Sequence, residues 1–405
     1  MKINKISKKI SLILVLTMLS VSVLSGCGRK DPDSGNGDGQ GQSTVNDGGD
    51  NGGNGGSGSG DDDAANHPGQ ARSKLTGEWK DEKVANRRPL AITIANNKPA
   101  FPQRGVSKAS VIIEAPMEGG LNTRLLAIVE DYDDVDYFCP VRSVRHYFAV
   151  DSMPYDSILC HWGLSVAYVG SLINSDDIDN VSAAVEGVDR PWDNAFFRSK
   201  ERQQDGYSTE YTGAMMVSGR ESYEQAVKEL GYRTEYSENF KQDFLFAKDG
   251  KPVTYDDNPD AKIIRLGGHG DNNSGYGHLT PYFEYNEEDG LYHRYNFIKD
   301  GEATEMTDEM NDEPVAVKNV IVQIVSGHFL DDNGYLVFDV YSTSPSNEAY
   351  VFTEGKMIKA SWSKGFDRYD PVYYYDEDGE EIVLNQGKTW ICLLWDAHKN
   401  LLEYE

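Results

Sequence analysis

The sequence predicts a mixed α/β protein of the α+β type, with two lobes that meet near residue 240. Two observations lead to this prediction. Residues 86–240 combine short apolar runs with one amphipathic helical segment, whereas residues 241–405 contain short apolar and aromatic runs separated by turns. Strands mixed with helices, followed by strands alone, are typical of α+β proteins. We therefore predict an N-terminal α/β lobe over 86–240 and a β-rich C-terminal lobe over 241–405.

The N-terminal lobe is predicted from its apolar runs. Four of them are short and rich in apolar residues, which favours buried strands; they are residues 90–95, 110–114, 123–129 and 157–162. One helix is expected over residues 220–231, where apolar residues recur at helical spacing and a glycine follows. The residues of its apolar face are Tyr223, Ala226, Val227 and Leu230.

The C-terminal lobe is predicted from turn signals at regular intervals. Acidic or Asn-containing turns with glycine occur at residues 288–290, 332–334 and 376–379. Their spacing suits hairpins or a meander. Residues 319–325 and 387–395 are strongly apolar and are predicted to be central strands.

The N-terminus has the pattern of an export signal. Lysines at positions 2, 5, 8 and 9 precede an apolar run over residues 10–24, which is short for a membrane span and suits a signal peptide. The run ends in Leu24-Ser25-Gly26-Cys27, which resembles the lipobox of bacterial lipoproteins. We therefore predict that residues 1–26 are removed and that Cys27 carries lipid outside the cytoplasmic membrane. The alternative is an uncleaved membrane helix with an incidental cysteine.

Residues 27–75 are predicted to be the lipidated cysteine and a disordered linker. The segment is rich in Gly, Asp, Asn and Ser and lacks the apolar groups that would repay the entropy of ordering. A flexible linker of about 45 residues has a root-mean-square span of roughly 35–40 Å. It would therefore hold the folded body away from the membrane.

Charge and cysteine content restrict the function. The chain has 39 basic and 66 acidic residues, a net charge of −27, and without the four signal lysines 35 against 66 gives −31. Such a surface repels phosphate backbones, so no nucleic-acid partner is expected. Besides Cys27 the chain has Cys139, Cys160 and Cys392. An odd number leaves at least one thiol unpaired in a monomer, and a Cys139–Cys160 disulfide is an open alternative.

Several sequence blocks, in the same order, resemble the YerB-like lipoprotein family, whose domain has no known function. The N-terminal blocks are Arg88-Pro89-Leu90-Ala91-Ile92, Pro102-Gln103-Arg104-Gly105-Val106-Ser107-Lys108-Ala109, Glu114-Ala115-Pro116-Met117-Glu118-Gly119-Gly120 and Pro140-Val141-Arg142-Ser143-Val144-Arg145. The C-terminal blocks are Asn319-Val320-Ile321-Val322, Gly355-Lys356 with Trp362, Asp378-Gly379-Glu380-Glu381-Ile382 and Gly387-Lys388-Thr389-Trp390. The resemblance covers about residues 86 to 400. It implies a lipid-anchored, extracytoplasmic protein with a layered β/β/α sandwich, and it carries over no enzymatic activity.

A basic segment at residues 139–147 is the leading candidate for a site. Arg142, Arg145 and His146 form a local positive island in an acidic chain, and Arg124 joins them if its strand is a neighbour. Guanidinium groups bind carboxylate or phosphate through paired hydrogen bonds, so this pattern predicts an anion-binding cleft. The alternative is that Arg142 and Arg145 form internal ion pairs with Glu114 and Glu118, because buried charges need partners.

His161 and Ser165 raise a hydrolase alternative. A histidine after a strand, with a serine four residues later, suggests nucleophilic catalysis. The Gly-x-Ser-x-Gly elbow is absent, however, and adjacent strand residues such as Cys160 and His161 point to opposite faces. We therefore favour His161 as part of the same cleft as Arg142. Members of the resembled family carry a His-Asn pair where this chain has Thr209-Glu210. A histidine base at this position is therefore not available here, which further weakens the hypothesis of an enzyme.

No metal or cofactor is predicted. Residues 267–271 and 275–278 bring two histidines and an aspartate together, but in a glycine-rich loop that suits a flexible connection better than zinc. Residues 376–381 lack the spacing of a calcium loop and are expected to form a hairpin turn.

Our leading hypothesis is a non-catalytic, lipid-anchored binding protein of the cell envelope. Its partners would be the membrane, through the lipid, and an unidentified envelope protein or anionic cell-wall ligand. One alternative is a cell-envelope hydrolase that uses His146 or His161 as the base. Another is a regulatory or assembly partner of envelope proteins.

Overall fold

The computed structural model describes residues 66–241, 244–268, 274–299 and 302–405, with the side chains of residues 298 and 299 left out. The predicted signal peptide, Cys27 and most of the predicted linker lie outside this range. Within the described part of the chain, no helix is long and apolar enough to cross a membrane.

The helices and strands alternate in the first half of the described chain, and strands follow in the second. The helices are α1 (Glu82–Asn86), α2 (His146–Ser152), α3 (Val166–Ile173), α4 (Lys200–Gln204) and α5 (Tyr223–Leu230). The strands of the first half are β1 (Gln70–Arg72), β2 (Trp79–Asp81), β3 (Leu90–Asn96), β4 (Val111–Pro116), β5 (Thr123–Val129), β6 (Tyr137–Phe138), β7 (Ile158–His161), β8 (Asn180–Ser182), β9 (Phe196–Arg198) and β10 (Gly213–Met216). Those of the second half are β11 (Leu245–Phe246), β12 (Ile263–Arg265), β13 (Tyr282–Asn286), β14 (Leu291–Lys299), β15 (Glu302–Glu305), β16 (Ala316–Val317), β17 (Asn319–Val325), β18 (Gly327–Phe329), β19 (Leu336–Phe338), β20 (Asn347–Thr353), β21 (Lys356–Lys364), β22 (Val372–Tyr375), β23 (Val383–Leu384), β24 (Thr389–Trp395) and β25 (Glu403–Tyr404).

The predicted strands and the predicted helix are confirmed to within a few residues. The α+β class is confirmed as well, since the structure has few helices and many strands in several sheets. Helix α5 begins after Ser222, whose hydroxyl accepts a hydrogen bond from the backbone N–H of Gln225, and ends at Gly231 with a φ of 74°. These are the capping signals that place a helix in a sequence.

One sheet of ten strands runs through both halves of the chain. Its order is β22-β21-β20-β17-β24-β4-β5-β3-β7-β8. The halves join where β24 lies parallel to β4, with Thr389 opposite Val111 and Cys392 opposite Glu114. Strands from both predicted lobes therefore share one hydrogen-bonded sheet.

The large sheet has a separate apolar core on each face, because successive side chains of a strand point to opposite sides. Leu90, Ile92 and Ile94 of β3 pack with Phe283 and Tyr292 of a smaller sheet, which contains β12 to β15 and β25. The opposite face packs on helices α2 and α3, through residues that include Tyr147, Phe148, Val169 and Ile173. The result is a layered β/β/α arrangement, as the family resemblance implies.

The folded body begins earlier than the sequence predicts. Residues 66–75 were expected to belong to the linker, yet β1 pairs with β2, and the Leu75 side chain is fully buried. The Ser73 hydroxyl donates to both carboxylate oxygens of Glu130, at 2.7 and 2.8 Å. A single leucine among polar residues gives no periodic pattern, so this contact between distant residues has no signal in the local sequence.

A buried ion pair joins the two sheets. Glu114 of β4 and Arg294 of β14 are 0% and 1% exposed, and Arg294 Nη2 donates to both carboxylate oxygens at 2.9 and 2.8 Å. The carboxylate also accepts hydrogen bonds from Asn96 Nδ2 at 2.9 Å, the Thr123 hydroxyl at 2.6 Å and Trp390 Nε1 at 3.1 Å. The alternative that paired Glu114 with Arg142 or Arg145 is therefore wrong.

The alternation of β5 explains this correction. Leu125 lies in the core toward the small sheet, as does Ile112 of β4, whereas Leu126 lies in the core toward the helices. Glu114 shares the face of Ile112, and Arg124 shares the face of Leu126. The Glu114 carboxylate and the Arg124 side chain are thus on opposite faces of the large sheet.

We expect the substitution Arg294→Met to lower the free energy of unfolding by about 3–5 kcal/mol, because it leaves the Glu114 carboxylate buried without its cation. Urea denaturation of the purified chain measures this. The control is Lys359→Met, which breaks the exposed Lys359–Glu377 pair and should leave the midpoint unchanged. A midpoint for Arg294→Met equal to that of the wild type would contradict the structural importance of the pair.

Candidate functional site

The basic segment lies beside the C-terminal half of β3 and the residues that follow β7, and backbone hydrogen bonds fix it there. Arg142 N–H donates to Thr93 O at 2.9 Å, and Val144 N–H donates to Gly163 O at 2.9 Å. Gly163 has a φ of 106°, and a Cβ atom there would lie 2.4 Å from the Ser143 hydroxyl oxygen. Only glycine allows this close approach without a shift in the segment.

Arg145 precedes helix α2 and forms the ion pair that the alternative reading predicts. Its Nε donates to a carboxylate oxygen of Glu118, in the 3₁₀ turn Glu118–Gly120 that follows β4. Burial alone would raise the pKa of the Glu118 carboxyl, but the hydrogen bond and charge of Arg145 outweigh burial, and the pKa is lowered. Glu118 is therefore ionised and compensates Arg145.

Arg124 lies beside this pair. Its guanidinium donates from Nη1 to Ser143 O, its side chain is 8% exposed, and its Nε is buried without a hydrogen-bond partner in the described structure. Burial, followed by the charges of Arg145 and Arg142, lowers the pKa of Arg124 to about 9. Arg124 thus remains a cation at neutral pH, although an unfavourable one.

Arg142 and Arg198 are two further arginines of this region, and both bind the turn that follows α4. Arg142 Nη1 donates to Glu210 O at 2.9 Å, and Arg198 Nη1 donates to Thr209 O at 2.7 Å, so both bind carbonyls of the 3₁₀ turn Thr209–Tyr211. Within the described part of the chain, neither guanidinium has a carboxylate within 4.0 Å. The sequence did not assign Arg198 to the site, because its position depends on the pairing of β9 with β10.

We call Arg124, Arg142, Arg145 and Arg198 the arginine cluster. The described structure pairs these four guanidinium groups with one carboxylate, that of Glu118. Buried arginines elsewhere have acidic partners. The pairs are Arg87 with Asp131 and Asp133, Arg88 with Asp156 and Asp179, Arg202 with Glu309, and Arg294 with Glu114. The arginine cluster differs from them in its excess of positive charge.

The cluster does not line either of two cavities, of about 690 and 710 Å³, in the described part of the chain. The first has Arg88, Asp156 and Tyr369 in its wall, and the second has Tyr132 and Tyr223. The predicted Arg/His cleft is thus replaced by a surface group of arginines. It retains Arg142, Arg145 and Arg124 from the prediction.

His146 is the first residue of α2 and has no catalytic partner. Its ring lies 6.0 Å from that of Tyr341, and its buried Nδ1 has no hydrogen-bond partner in the residues described. Burial lowers the pKa of His146. The ring is therefore placed by packing and is not hydrogen-bonded to the arginine cluster.

His161 is fully buried beneath the cluster. Its Nδ1 lies 2.9 Å from Gly163 O, and burial lowers its pKa to about 4. Ser165 precedes α3, and no hydrogen bond joins its side chain to a histidine among the described residues. A neutral, backbone-bonded histidine and a serine without a base give no support to the hydrolase alternative.

The three thiols of the folded body are free and buried in the structure. Burial raises the pKa of Cys139 to about 12 and raises the pKa values of Cys160 and Cys392 well above their ordinary value. The thiolate is the reactive form, so these cysteines pack as apolar side chains. The Cys139–Cys160 disulfide is not formed.

In the described part of the chain, no group of three or more His, Cys, Asp or Glu side chains is arranged to bind a metal ion. Residues 269–271 of the glycine-rich loop considered in the sequence lie outside the described residues.

The burial of His161 predicts a pH dependence of stability. The folded-state pKa is about 4 and the ordinary value is 6.5, so the unfolded chain binds the proton first as the pH falls. The contribution of His161 is complete above about pH 6.5 and is lost toward about pH 4. Asparagine can replace Nδ1 as the donor to Gly163. When the pH falls from about 7.5 to about 5, the free energy of unfolding should decrease for the wild type, because protonation of its His161 opposes folding. For His161→Asn we therefore expect this decrease to be smaller by about 2 kcal/mol.

Urea denaturation at the two pH values measures this difference, and His293 provides the control. Burial opposes protonation of His293, but Glu305 and Asp289 outweigh it and raise its pKa. The His293 contribution is lost as the pH rises, so His293→Asn should change the pH dependence in the opposite direction. Equal pH dependence of the wild type and His161→Asn would contradict the prediction.

Comparison with known proteins places this fold in a family. Residues 75–232 match the N-terminal domain, and residues 273–391 the C-terminal domain, of the family described as "Protein of unknown function (DUF3048)". The chain is 30% identical over 326 residues to "Putative lipoprotein YerB" of Bacillus subtilis (strain 168), which covers 80% of this chain and 86% of that protein. The crystal structure of YerB protein from Bacillus subtilis superposes with a TM-score of 0.64 at 25% identity, over 83% of this chain and 99% of that one. The chain therefore belongs to the DUF3048 family, the YerB-like proteins of unknown function.

Proposed function

We propose that the protein is anchored outside the cytoplasmic membrane by lipid on Cys27 and binds an anionic group at the arginine cluster. The observation that carries the proposal is the charge imbalance of the cluster, four guanidinium groups with the single carboxylate of Glu118. Paired charges are the rule for buried groups, and the buried Arg124 is an exception, because no carboxylate of the described residues lies within 4.0 Å of it. Arg142 and Arg145 are half-buried and Arg198 is exposed, so these three are open to solvent and to a ligand.

The donors of the cluster suit a carboxylate or a phosphate. A guanidinium group offers two parallel N–H donors to two oxygens of such an anion. Arg142 uses Nη1 for Glu210 O and keeps its other donors for a ligand, whereas the Arg124 Nε that has no partner among the described residues is buried and contributes charge rather than a contact. Ser143 lies between them, since its carbonyl accepts from Arg124 Nη1.

The rest of the surface supports a local rather than an extended anion site. With a mature charge of −31, the body repels polyanions at long range, and the cluster is a small exception. Nucleic acid, which needs an extended basic surface, is therefore not the proposed partner.

An enzymatic role is not part of the proposal. The two histidines considered as bases, His146 and His161, both have a pKa lowered by burial. Neither ring is hydrogen-bonded to a serine, cysteine or carboxylate in the described structure. Binding requires only the donors that the cluster presents.

The anchor is supported by the signal pattern of residues 1–27 and by the relative that is named a lipoprotein. Each buried methylene contributes about 0.8 kcal/mol to membrane binding, so two or three acyl chains hold a protein firmly. We expect Cys27→Ala to move the protein from the membrane fraction to the soluble extracytoplasmic fraction of an expressing bacterium. Immunoblots of the fractions, with Cys139→Ala as the control, measure this. Unchanged membrane retention of Cys27→Ala would contradict lipid anchoring at that residue.

Anion binding is tested by calorimetric titration of the full chain, purified in detergent, with inorganic phosphate and with succinate. We expect Arg142→Gln to weaken binding by about tenfold or more, because it removes a charge-assisted donor without disturbing a buried residue. Rising salt concentration should weaken binding by the wild type. The matched control is Arg265→Gln, on β12, which should bind as the wild type does.

The proposal fails if the wild type binds neither anion at low salt. It also fails if Arg142→Gln and Arg124→Gln, each shown by circular dichroism to be folded, bind both anions with wild-type affinity.

A further inference from the structure

An exposed apolar rim lies next to the arginine cluster. Its members are Leu121, Val166 and Leu330, which are 55%, 45% and 44% exposed, together with the half-buried Tyr168. They come from three distant parts of the chain. Contiguous exposed apolar groups beside polar ones are characteristic of interaction surfaces.

Specific contacts hold the rim together. Gly119 N–H donates to Gly334 O at 3.0 Å, which joins the turn that carries Leu121 to the β18–β19 hairpin. Leu330 N–H donates to Tyr335 O at 2.8 Å within that hairpin. The rings of Tyr335 and Tyr168 lie 4.2 Å apart, which joins the hairpin to α3.

The same contacts connect the rim to the arginine cluster. The Arg145 guanidinium lies 6.0 Å from the ring of Tyr335, and the backbone N–H of the next residue, His146, donates to the Tyr335 hydroxyl at 3.3 Å. Glu118, the partner of Arg145, lies in the turn that precedes Leu121. The segments that carry the rim and the cluster are therefore joined through Tyr335 and the turn after β4, and we call the rim and the cluster together the arginine–apolar face.

The composition of this face is that of a protein-binding surface. It combines arginine, tyrosine and aliphatic side chains. Arginine and aromatic residues are enriched at protein interfaces and lysine is depleted, because guanidinium groups and rings lose less on desolvation and ordering than an ammonium group on a flexible stem.

We propose that the arginine–apolar face binds a polypeptide segment that presents one or two carboxylates beside apolar side chains. This inference rests on the proposed anion site and names the class of its ligand. The carboxylates would pair with Arg142, beside the buried charge of Arg124, and the apolar side chains would cover Leu121, Val166 and Leu330.

The charges around the face decide against a polyanion or an anionic lipid surface. Glu118, Glu210 and Asp331 lie at its edges, and Asp331 accepts a hydrogen bond from the Tyr168 hydroxyl at 2.8 Å. A phosphodiester polymer or a membrane would extend negative charge over these carboxylates and be repelled. A short segment with few carboxylates reaches the arginines without that cost, and its apolar side chains use the rim.

The chain's own linker is the competing occupant. It contains Asp61-Asp62-Asp63, close to where the described structure begins, and can supply carboxylates. The only apolar side chains next to these aspartates are the small ones of Ala64 and Ala65, however, so it would cover little of Leu121 and Leu330.

The test is a selection of phage-displayed random dodecapeptides on the full chain in detergent, followed by fluorescence anisotropy with the selected peptides. We expect the selected peptides to combine Asp or Glu with Leu, Phe or Trp. Arg142→Gln and Leu330→Ser should each weaken binding of a selected peptide at least tenfold. The matched controls are Arg265→Gln and Leu245→Ser, since Leu245 is 46% exposed on β11; both should bind as the wild type does.

Three outcomes would overturn the inference. The first is a selection without carboxylates or without apolar residues, and the second is wild-type affinity of Leu330→Ser. The third is equal or tighter binding of a synthetic peptide of residues 56–66, which would make the linker the occupant. If phosphate and succinate still bind in an Arg142-dependent manner, the proposed anion site survives these outcomes, whereas loss of that binding ends both proposals.

Discussion

The ion pair between Glu114 and Arg294 constrains the whole described body. It joins β4, from the first half of the chain, to β14 of the small sheet, and Trp390 of β24 donates to the same carboxylate. A carboxylate and a guanidinium that are 0% and 1% exposed must stay together, because either one alone would be a buried, uncompensated charge. The pair therefore fixes how the small sheet lies on the large one, and both halves of the chain depend on it.

The Glu114–Arg294 pair also determines which carboxylates can pair with the arginine cluster. Glu114 and Arg124 lie on neighbouring strands, but their side chains point to opposite faces of the sheet. Arg294 saturates Glu114 on one face, so Glu114 cannot compensate the arginines on the other. The chain turns immediately after β4, which brings Glu118 to the face of Arg145. Strand alternation thus leaves Arg124 without Glu114, while Glu118 pairs with Arg145.

Local sequence patterns predict many of the strands and helices of this fold. Contacts between residues that are far apart in the sequence could not be predicted in the same way. The strands at β3, β5 and β17 and the helix α5 are visible in the sequence because apolar periodicity and capping residues act within a few positions. Arg294 is 180 residues from Glu114. Since the chain offers 66 acidic residues as partners for its arginines, charge alone does not single out Glu114. Arg198 was not predicted for the same reason. Only the pairing of β9 with β10 brings it beside the 3₁₀ turn Thr209–Tyr211, which also binds Arg142.

The presence or absence of a carboxylate partner distinguishes the structural arginine Arg294 from Arg124 of the proposed binding site. Arg294 is stabilised where it lies, whereas the lowered pKa of Arg124 reports burial and repulsion from Arg145 and Arg142. At neutral pH Arg124 is charged in both the folded and the unfolded chain, so this repulsion weakens the folded state without an anion. A bound carboxylate or phosphate would remove the repulsion and stabilise the folded state by mass action. A buried arginine that is unfavourable by itself and would be favourable beside an anion is the charge arrangement expected of a binding site rather than of a structural ion pair.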